Sequence, residues 1–102
     1  MSKWKVEYVE YVYDSLDRVT EIRYTEDGGT KQTLYKYSYT NDGYLKRFDN
    51  NVENTSTIYS YDGAERLAHI VECSQDESDS YYSVEFYYDE YDRVNMEYSK
   101  IS

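Results

Sequence analysis

Aromatic and polar residues alternate with a period of two along much of this chain. In the stretch TLYKYSY from Thr33 to Tyr39, every second residue is Thr or Tyr, and TSTIYSY from Thr55 and YSVEFYY from Tyr82 alternate in a similar way. Alternation over this length is typical of a β-strand with one apolar and one polar face. We therefore predict an all-β protein in which the aromatic side of each strand faces a core.

Turn-forming residues separate these alternating segments. Asn, Asp and Gly cluster at seven places, and they favour turns because they tolerate positive φ or bond to their own backbone. The eight predicted strands are residues 3–13, 18–25, 31–39, 44–49, 55–61, 66–73, 81–88 and 93–101. Because the connections are short, consecutive strands should be antiparallel neighbours. The predicted topology is an eight-stranded antiparallel meander in a single domain spanning residues 1–102.

The apolar face of this predicted sheet needs a cover, and the sequence contains no strong helix signal to provide one. The sheet can curl into a barrel, fold into a sandwich or pair with a second copy of the chain. Closure would also remove the exposed edge strands. We therefore favour a strongly curled sheet or small barrel, and a flat sheet buried in a homodimer is the second candidate.

One short phrase occurs four times in the sequence. It reads YVYDSLDRVTEI from Tyr11, YSYTNDGYLKRF from Tyr37, YSYDGAERLAHI from Tyr59 and FYYDEYDRVNME from Phe86. Each copy spans the end of one strand, a turn and the start of the next strand, so we interpret it as one hairpin built four times. The tyrosines directly before the turns hold equivalent places and are expected to be largely buried. They are Tyr13, Tyr39, Tyr61 and Tyr88.

This phrase resembles the YD repeat of Rhs proteins and teneurins, whose pattern is Tyr-x-Tyr-Asp-x-x-Gly-Arg-Leu-x-x-Ile. The first and third copies keep its acidic residue and its arginine, as Asp14 with Arg18 and Asp62 with Arg66. The resemblance implies repeated hairpins with a structural, non-catalytic role. In that family such repeats form long sheets that spiral into a shell around another domain, and four copies are too few for a shell.

The chain departs from the repeat pattern at the glycine position of the turn. Asp17, Glu65 and Asp92 occupy this position in three copies, whereas the second copy has Gly43. Glutamate adopts a left-handed backbone poorly. We therefore expect a different type of turn at Glu65.

The charge of the chain narrows the class of partner. There are 21 acidic residues against 11 basic ones, a formal net charge of −10. Phosphate binding requires lysine and arginine, so we expect neither direct nucleic acid binding nor binding to an anionic membrane surface. A basic partner protein is the electrostatic complement of this charge. The alternative interpretation is that the acidic residues only keep a sheet protein soluble.

Candidate catalytic and metal-binding groups are sparse. His69 is the single histidine and Cys73 the single cysteine, and their spacing on one strand puts them about 13 Å apart, too far to share a metal or a proton. Asp76, Glu77 and Asp79 offer hard oxygen ligands, but the stretch lacks the glycine and the later glutamate of an EF-hand loop. We therefore expect no catalytic site, no metal and no cofactor.

The acidic loop and the tyrosines outside the predicted core register form the candidate binding surface, because exposed aromatic rings can stack on a ligand or partner. The candidate binding residues are Asp76, Glu77, Asp79, Tyr81, Tyr87 and Tyr91. We predict a non-enzymatic protein-binding module, such as a small acidic inhibitor or an immunity-type protein, that engages a basic partner. The alternative is a structural repeat fragment or an aromatic carbohydrate-binding module.

The opening residues lack the basic and apolar regions of a secretory signal, and no segment approaches membrane-spanning length. A single cysteine cannot form an internal disulfide and is typical of a reducing compartment. We therefore expect a cytoplasmic protein.

Overall fold

A computed structural model describes residues 7–26 and 28–100, and within them it shows strands and turns but no helix. The strands are β1 (Glu7–Tyr13), β2 (Val19–Glu26), β3 (Gln32–Tyr39), β4 (Leu45–Asn50), β5 (Thr55–Tyr61), β6 (Leu67–Ser74), β7 (Ser80–Tyr88) and β8 (Val94–Lys100). They form one sheet in the order β1 to β8, and every pairing is antiparallel. The predicted all-β antiparallel meander is therefore confirmed. The predicted boundaries agree within one residue, except that positions 3–6 and 101 lie outside the described residues.

The sheet is open rather than closed. β1 and β8 lie at opposite edges of the strand order and do not pair with each other. The radius of gyration is 17.8 Å, whereas a compact chain of this length would have about 13 Å. The prediction of a strongly curled sheet or small barrel is therefore wrong.

The sheet has a single layer and almost no enclosed core. Within the described part of the chain only Cys73 and Ser56 are buried, and they lie directly opposite each other on β6 and β5. The prediction that the aromatic face lines a core is wrong, because the described residues form one sheet and give it no second layer. Among the four tyrosines expected to be largely buried, three are half-buried and Tyr13 is 56% exposed.

Tyrosine hydroxyls find their partners within the sheet itself. Each of three tyrosines before a turn donates its hydroxyl hydrogen to the backbone carbonyl oxygen of the residue that begins the second strand of the preceding hairpin. The donor and acceptor residues, with their O–O distances, are Tyr39 to Val19 at 2.6 Å, Tyr61 to Leu45 at 2.6 Å and Tyr88 to Leu67 at 2.7 Å. Because each ring reaches across a neighbouring strand and its hydroxyl is satisfied there, the sheet needs no second layer to hold these tyrosines.

The four repeat hairpins share one turn geometry. In the first, the Asp17 amide donates to the Asp14 carbonyl at 3.0 Å and the Asp14 amide donates to the Arg18 carbonyl at 2.9 Å. This is a type I turn followed by a left-handed residue, as in three-residue hairpin loops. The left-handed residues are Asp17 (φ 61°), Gly43 (φ 92°), Glu65 (φ 62°) and Asp92 (φ 60°). The expectation of a different turn at Glu65 is therefore wrong.

An aspartate at the start of the turn explains why glutamate is held in this conformation. Oδ1 of Asp62 accepts hydrogen bonds from the amides of Ala64 and Arg66, both at 2.9 Å, and Oδ2 accepts one from Nε of Arg66 at 3.0 Å. The amide hydrogen bond from Arg66 is the main cause that lowers the pKa of Asp62. These bonds fix the turn on both sides of Glu65 and offset its backbone strain.

Candidate functional site

The structure divides the six candidate binding residues between the two ends of β7. Asp76, Glu77 and Asp79 lie in the turn between β6 and β7, whereas Tyr87 and Tyr91 lie at or beyond the other end of the strand. A strand of nine residues is about 30 Å long, so the loop and these tyrosines do not form one site. Tyr81, the remaining candidate, lies near the loop, at the point where the pairing register of β6 and β7 shifts by one residue.

The carboxylate of Asp76 is engaged in its own turn. It accepts hydrogen bonds from the amide of Ser78 at 3.0 Å, from the hydroxyl of Ser78 at 2.7 Å and from the hydroxyl of Ser74 at 2.7 Å. The hydroxyl of Ser78 is the largest influence, and together these bonds lower the pKa of Asp76 to about 2. The role of Asp76 in this geometry is to stabilise the loop.

Glu77 is paired with a cation from a distant strand. Its Oε2 lies 3.2 Å from Nη1 of Arg47 on β4, and Arg47 also donates to Asp49 at 2.8 Å and to the carbonyl of Gln75 at 2.8 Å. Ser56 bonds to both Arg47 and Asp49. Burial alone would raise the pKa of Asp49, but the hydrogen bonds from Ser56 and Arg47 outweigh it and leave that pKa lowered. This network ties β4, β5 and the β6–β7 turn together, so Glu77 has a structural role, although all three acids of the loop are exposed.

A different acidic group lies on the polar face of the last hairpin. Glu85 on β7 and Glu97 on β8 are direct cross-strand partners. Tyr87, which is 50% exposed, donates its hydroxyl hydrogen to Oε2 of Glu85 at 2.6 Å. This bond is the main cause that raises the pKa of Tyr87. We name Glu85, Tyr87 and Glu97 the acidic patch.

The acidic patch lacks an internal counter-charge. Neither Glu85 nor Glu97 forms an ion pair with any Lys, Arg or His in the described ranges, although His69 lies opposite Glu85 on β6. Like charges directly opposite each other on neighbouring strands are destabilising. A cation from a partner molecule would therefore reduce the repulsion between the carboxylates of Glu85 and Glu97.

The net charge is concentrated in the half of the chain that carries this patch. Residues 1–50 contain nine acidic and eight basic residues, a formal charge of −1. Residues 51–102 contain twelve acidic and three basic residues, a formal charge of −9. The field around the molecule is therefore strongest around β5 to β8.

An open groove runs beside the patch at the turn between β7 and β8. Its lining residues are Tyr87, Tyr88, Asp89, Arg93, Val94 and Asn95. Tyr91 is exposed in the same turn, with the guanidinium carbon of Arg93 5.1 Å from the centre of its ring. Tyr87 and Tyr91 thus offer aromatic surface at one end of the acidic half of the sheet.

His69 and Cys73 both lie on β6. Cys73 is buried, and burial raises the pKa of its thiol, which disfavours the reactive thiolate. The part of the chain that the structure describes contains no group of three His, Cys, Asp or Glu side chains that could hold a metal.

No helix among the described residues has the length and apolar character needed to cross a membrane.

No family model and no curated protein matches this chain. The sheet, its exposed aromatic groups and its charge distribution are therefore the grounds for a functional assignment.

Sequence reasoning missed Glu85 and Glu97 because their relationship depends on strand register. The register shifts by one residue directly after the turn in the first three repeat hairpins, between β1 and β2, β3 and β4, and β5 and β6. The pairing of β7 with β8 runs from Tyr88 opposite Val94 without such a shift. Glu85 and Glu97 face each other only if the strand register continues without a shift after the DEYD turn. The sequence does not show which of the four hairpins lacks the β-bulge.

Proposed function

We propose that this chain is a non-enzymatic protein-binding module whose acidic C-terminal half engages a basic surface of a partner protein. The observation that carries this proposal is the opposed pair Glu85 and Glu97 beside the exposed Tyr87. A lysine or arginine of the partner placed between the two carboxylates would bond to both and remove their repulsion. A small acidic inhibitor or immunity-type protein would act in this way.

The tyrosines beside the patch supply the apolar part of such a contact. Tyr87 and Tyr91 are both exposed, and tyrosine is enriched where protein interfaces are buried. The charge of −9 on residues 51–102 would speed the approach of a basic partner and repel nucleic acid. The acidic patch with Tyr91 therefore replaces the β6–β7 loop as the proposed contact surface.

The test compares two double variants with the same change in net charge. Partners captured from the native host are screened for basic proteins, and association with one of them is measured by surface plasmon resonance at low salt. Glu85→Gln with Glu97→Gln should slow association about tenfold, since steering falls with local charge. The control, Asp42→Asn with Glu53→Gln, changes exposed acids in the β3–β4 and β4–β5 turns and should slow association less. Equal effects of the two double variants would show that net charge alone matters and would contradict the proposed contact surface.

A structural sheet of YD-like repeats is the second candidate, and the hydrogen bonds within its repeated turns favour it. The first, third and fourth turns share an aspartate that accepts a hydrogen bond from the arginine four residues later, as in the YD pattern. A carbohydrate-binding role would instead require that sugars stack on the exposed tyrosines. Binding on a glycan array, unaffected by the glutamine variants above, would favour the carbohydrate alternative over protein binding.

A further inference from the structure

Two contacts recur at all three junctions between successive repeat hairpins, and a third occurs at two of them. First, the tyrosine before each turn bonds to a carbonyl of the preceding hairpin, as described above. Second, the residue at the arginine position of that preceding hairpin lies over the tyrosine ring. The guanidinium carbon lies 4.4 Å from the ring centre for Arg18 and Tyr39, and 4.2 Å for Arg66 and Tyr88. The ring centres of Tyr44 and Tyr61 are 5.1 Å apart.

The third contact joins the arginine position to the left-handed residue of the next turn. Nη1 of Arg66 lies 2.7 Å from Oδ1 of Asp92, and the hydroxyl of Tyr44 lies 3.4 Å from Oε2 of Glu65. At the first junction Nη1 of Arg18 lies 3.8 Å from where a Cβ on Gly43 would be. The same positions therefore face each other at all three junctions, but the third contact is made only at the second and third, because Gly43 has no side chain.

The two outer hairpins each present half of this junction. Tyr13 on β1 is 56% exposed because no hairpin precedes it in the described sheet. The side chain of Arg93 is 74% exposed, against 36% for Arg66 at the third junction. One edge of the sheet thus carries the tyrosine half of the junction, and the other edge carries the arginine half.

We propose that two copies of this chain associate head to tail, with β8 of one copy paired antiparallel to β1 of the next. The direction is correct, because β1 runs opposite to β8 in an alternating meander. In the joined sheet, the hydroxyl of Tyr13 of the second copy bonds to the carbonyl of Val94. Arg93 lies over that tyrosine ring and reaches Asp17 of the second copy. The contact is heterologous, so the assembly continues as an open fibre rather than stopping at a dimer.

The repeat also sets the register of this contact. At each junction, the residue four positions before the tyrosine lies opposite an apolar residue of the preceding hairpin. The pairs are Tyr35 with Ile22, Thr57 with Phe48 and Val84 with Ile70. Met96 holds the place of that apolar residue in the last hairpin, since it lies opposite Phe86 as Ile70 lies opposite Tyr59. Val9 of the second copy is therefore placed opposite Met96.

The exposed apolar side chains are distributed as this contact requires. Seven of the twelve exposed large hydrophobic residues lie on the two edge strands, namely Tyr8, Val9, Tyr11 and Tyr13 on β1 and Val94, Met96 and Tyr98 on β8. The assigned register opposes Glu10 to Asn95 and Tyr8 to Glu97, so it creates no like-charge pair. A row of apolar residues on an unpaired edge favours pairing with another strand.

Charge favours head-to-tail pairing over pairing of β8 with β8. Joining β8 to β8 would bring together two halves with a formal charge of −9, whereas joining β8 to β1 brings such a half to one with a charge of −1. Repulsion is therefore smaller in the heterologous contact than in a β8–β8 contact. A β1–β1 contact would bring together two tyrosine halves of the junction and no arginine half. Each copy still carries −10, so added salt should strengthen the association by screening.

This salt dependence separates the inference from the proposed function, which does not depend on it. Binding to a basic partner should weaken as salt rises, whereas self-association should become stronger. Either result can fail while the other holds.

Sedimentation velocity tests the contact with the full chain over a range of protein concentrations, at about 0.05 M and about 0.5 M salt. We expect species larger than a dimer that grow with concentration and with salt. Met96→Asp should lower the association at least tenfold. Val52→Asp, the matched control, makes the same change at an exposed apolar residue in the β4–β5 turn and should leave association unchanged. A chain that stays monomeric throughout, or equal losses in the two variants, would overturn the proposal.

Cross-linking tests the register and the head-to-tail arrangement. A mixture of Val9→Cys and Met96→Cys proteins should form a mixed disulfide under mild oxidation, whereas neither variant alone should form a disulfide with itself. Glu97→Cys is the control for register, because its side chain lies on the opposite face from Met96. Self-linked Val9→Cys or Met96→Cys dimers, or linkage of Val9→Cys to Glu97→Cys, would contradict the assigned contact.

Discussion

Tyr61 and Tyr13 hold the same place in the repeated hairpin but have different surroundings. The hydroxyl of Tyr61 bonds to the carbonyl of Leu45 at 2.6 Å, and its ring lies 5.1 Å from that of Tyr44. No hairpin of the described sheet precedes Tyr13, which is 56% exposed. The difference teaches that the preceding hairpin, and not the hairpin's own turn, holds this tyrosine.

A sheet built in this way behaves as a linear array. Each strand pairs only with its neighbours in sequence, so stability is a sum of hairpin contributions and junction contributions, as in other repeat proteins. The junctions between hairpins do the work that a core does in a globular domain. The outer strands contribute one pairing interface each and are expected to open first.

The largest expected effect comes from removing the junction tyrosine of an inner hairpin. Tyr61→Ala should lower the free energy of unfolding by about 2–3 kcal/mol, below the range for a fully buried aromatic residue because Tyr61 is half-buried. Tyr13→Ala should lower it by less than about 0.5 kcal/mol, as for exposed positions. Urea unfolding at low protein concentration measures both values. Similar losses in the two variants would show that the junction does not distinguish inner from outer tyrosines.

The sequence predicts the strands and their order well, because alternation and turn residues are local signals. It fails at closure, because alternation shows which side chains share a face but not whether anything covers that face. The hydroxyl of Tyr39 donates to the carbonyl of Val19, 20 residues away in sequence. This acceptor can be predicted only when the pairing of successive hairpins is known.

The candidate site shows the same limit. Tyr87 and Tyr91 are exposed, as expected for residues outside the core register, whereas Tyr81 is half-buried. Asp76, Glu77 and Asp79 are exposed, but Glu77 also bonds to Arg47, which is 30 residues away in sequence. Neither this ion pair nor the opposition of Glu85 and Glu97 has a local signal, because both depend on register.

The turn carboxylates of inner and outer hairpins should contribute differently to stability at acid pH. The pKa of Asp62 in the inner turn and that of Asp89 in the outer turn are both lowered below 3.8, mainly by the amides of Arg66 and Arg93. A lowered folded-state pKa means that the stabilisation is present above 3.8 and is lost as pH falls through the folded value. Stability should therefore fall below about pH 5, and Asp62→Asn should reduce this dependence more than Asp89→Asn does.

Urea midpoints at neutral pH and at about pH 3 give this comparison. The inner position should matter more because Arg66 joins Asp62 to the next turn through Asp92, whereas Arg93 bonds within its own turn. An equal reduction in both variants would indicate that each turn titrates as an isolated unit.

The smallest effects concern the left-handed residue of the turn, where inner and outer hairpins should behave alike. Gly43→Ala should cost about 1 kcal/mol from backbone conformation alone, since the new Cβ would meet Nη1 of Arg18 at 3.8 Å, an ordinary contact. Asp17→Gly should stabilise the fold by about 0.5–1 kcal/mol, because Asp17 has a φ of 61°. Thermal unfolding at low concentration measures both.

Asp17→Gly also separates the fold from the proposed head-to-tail contact. The left-handed backbone of Asp17 destabilises its own hairpin. In a joined sheet, however, Asp17 would accept a hydrogen bond from Arg93 of the preceding copy, as Asp92 does from Arg66. Its removal should therefore raise the unfolding temperature of the monomer and weaken self-association at high concentration. Gains in both properties would show that Asp17 has no junction role, and the equivalence of the outer edges with the inner junctions would then fail at this position.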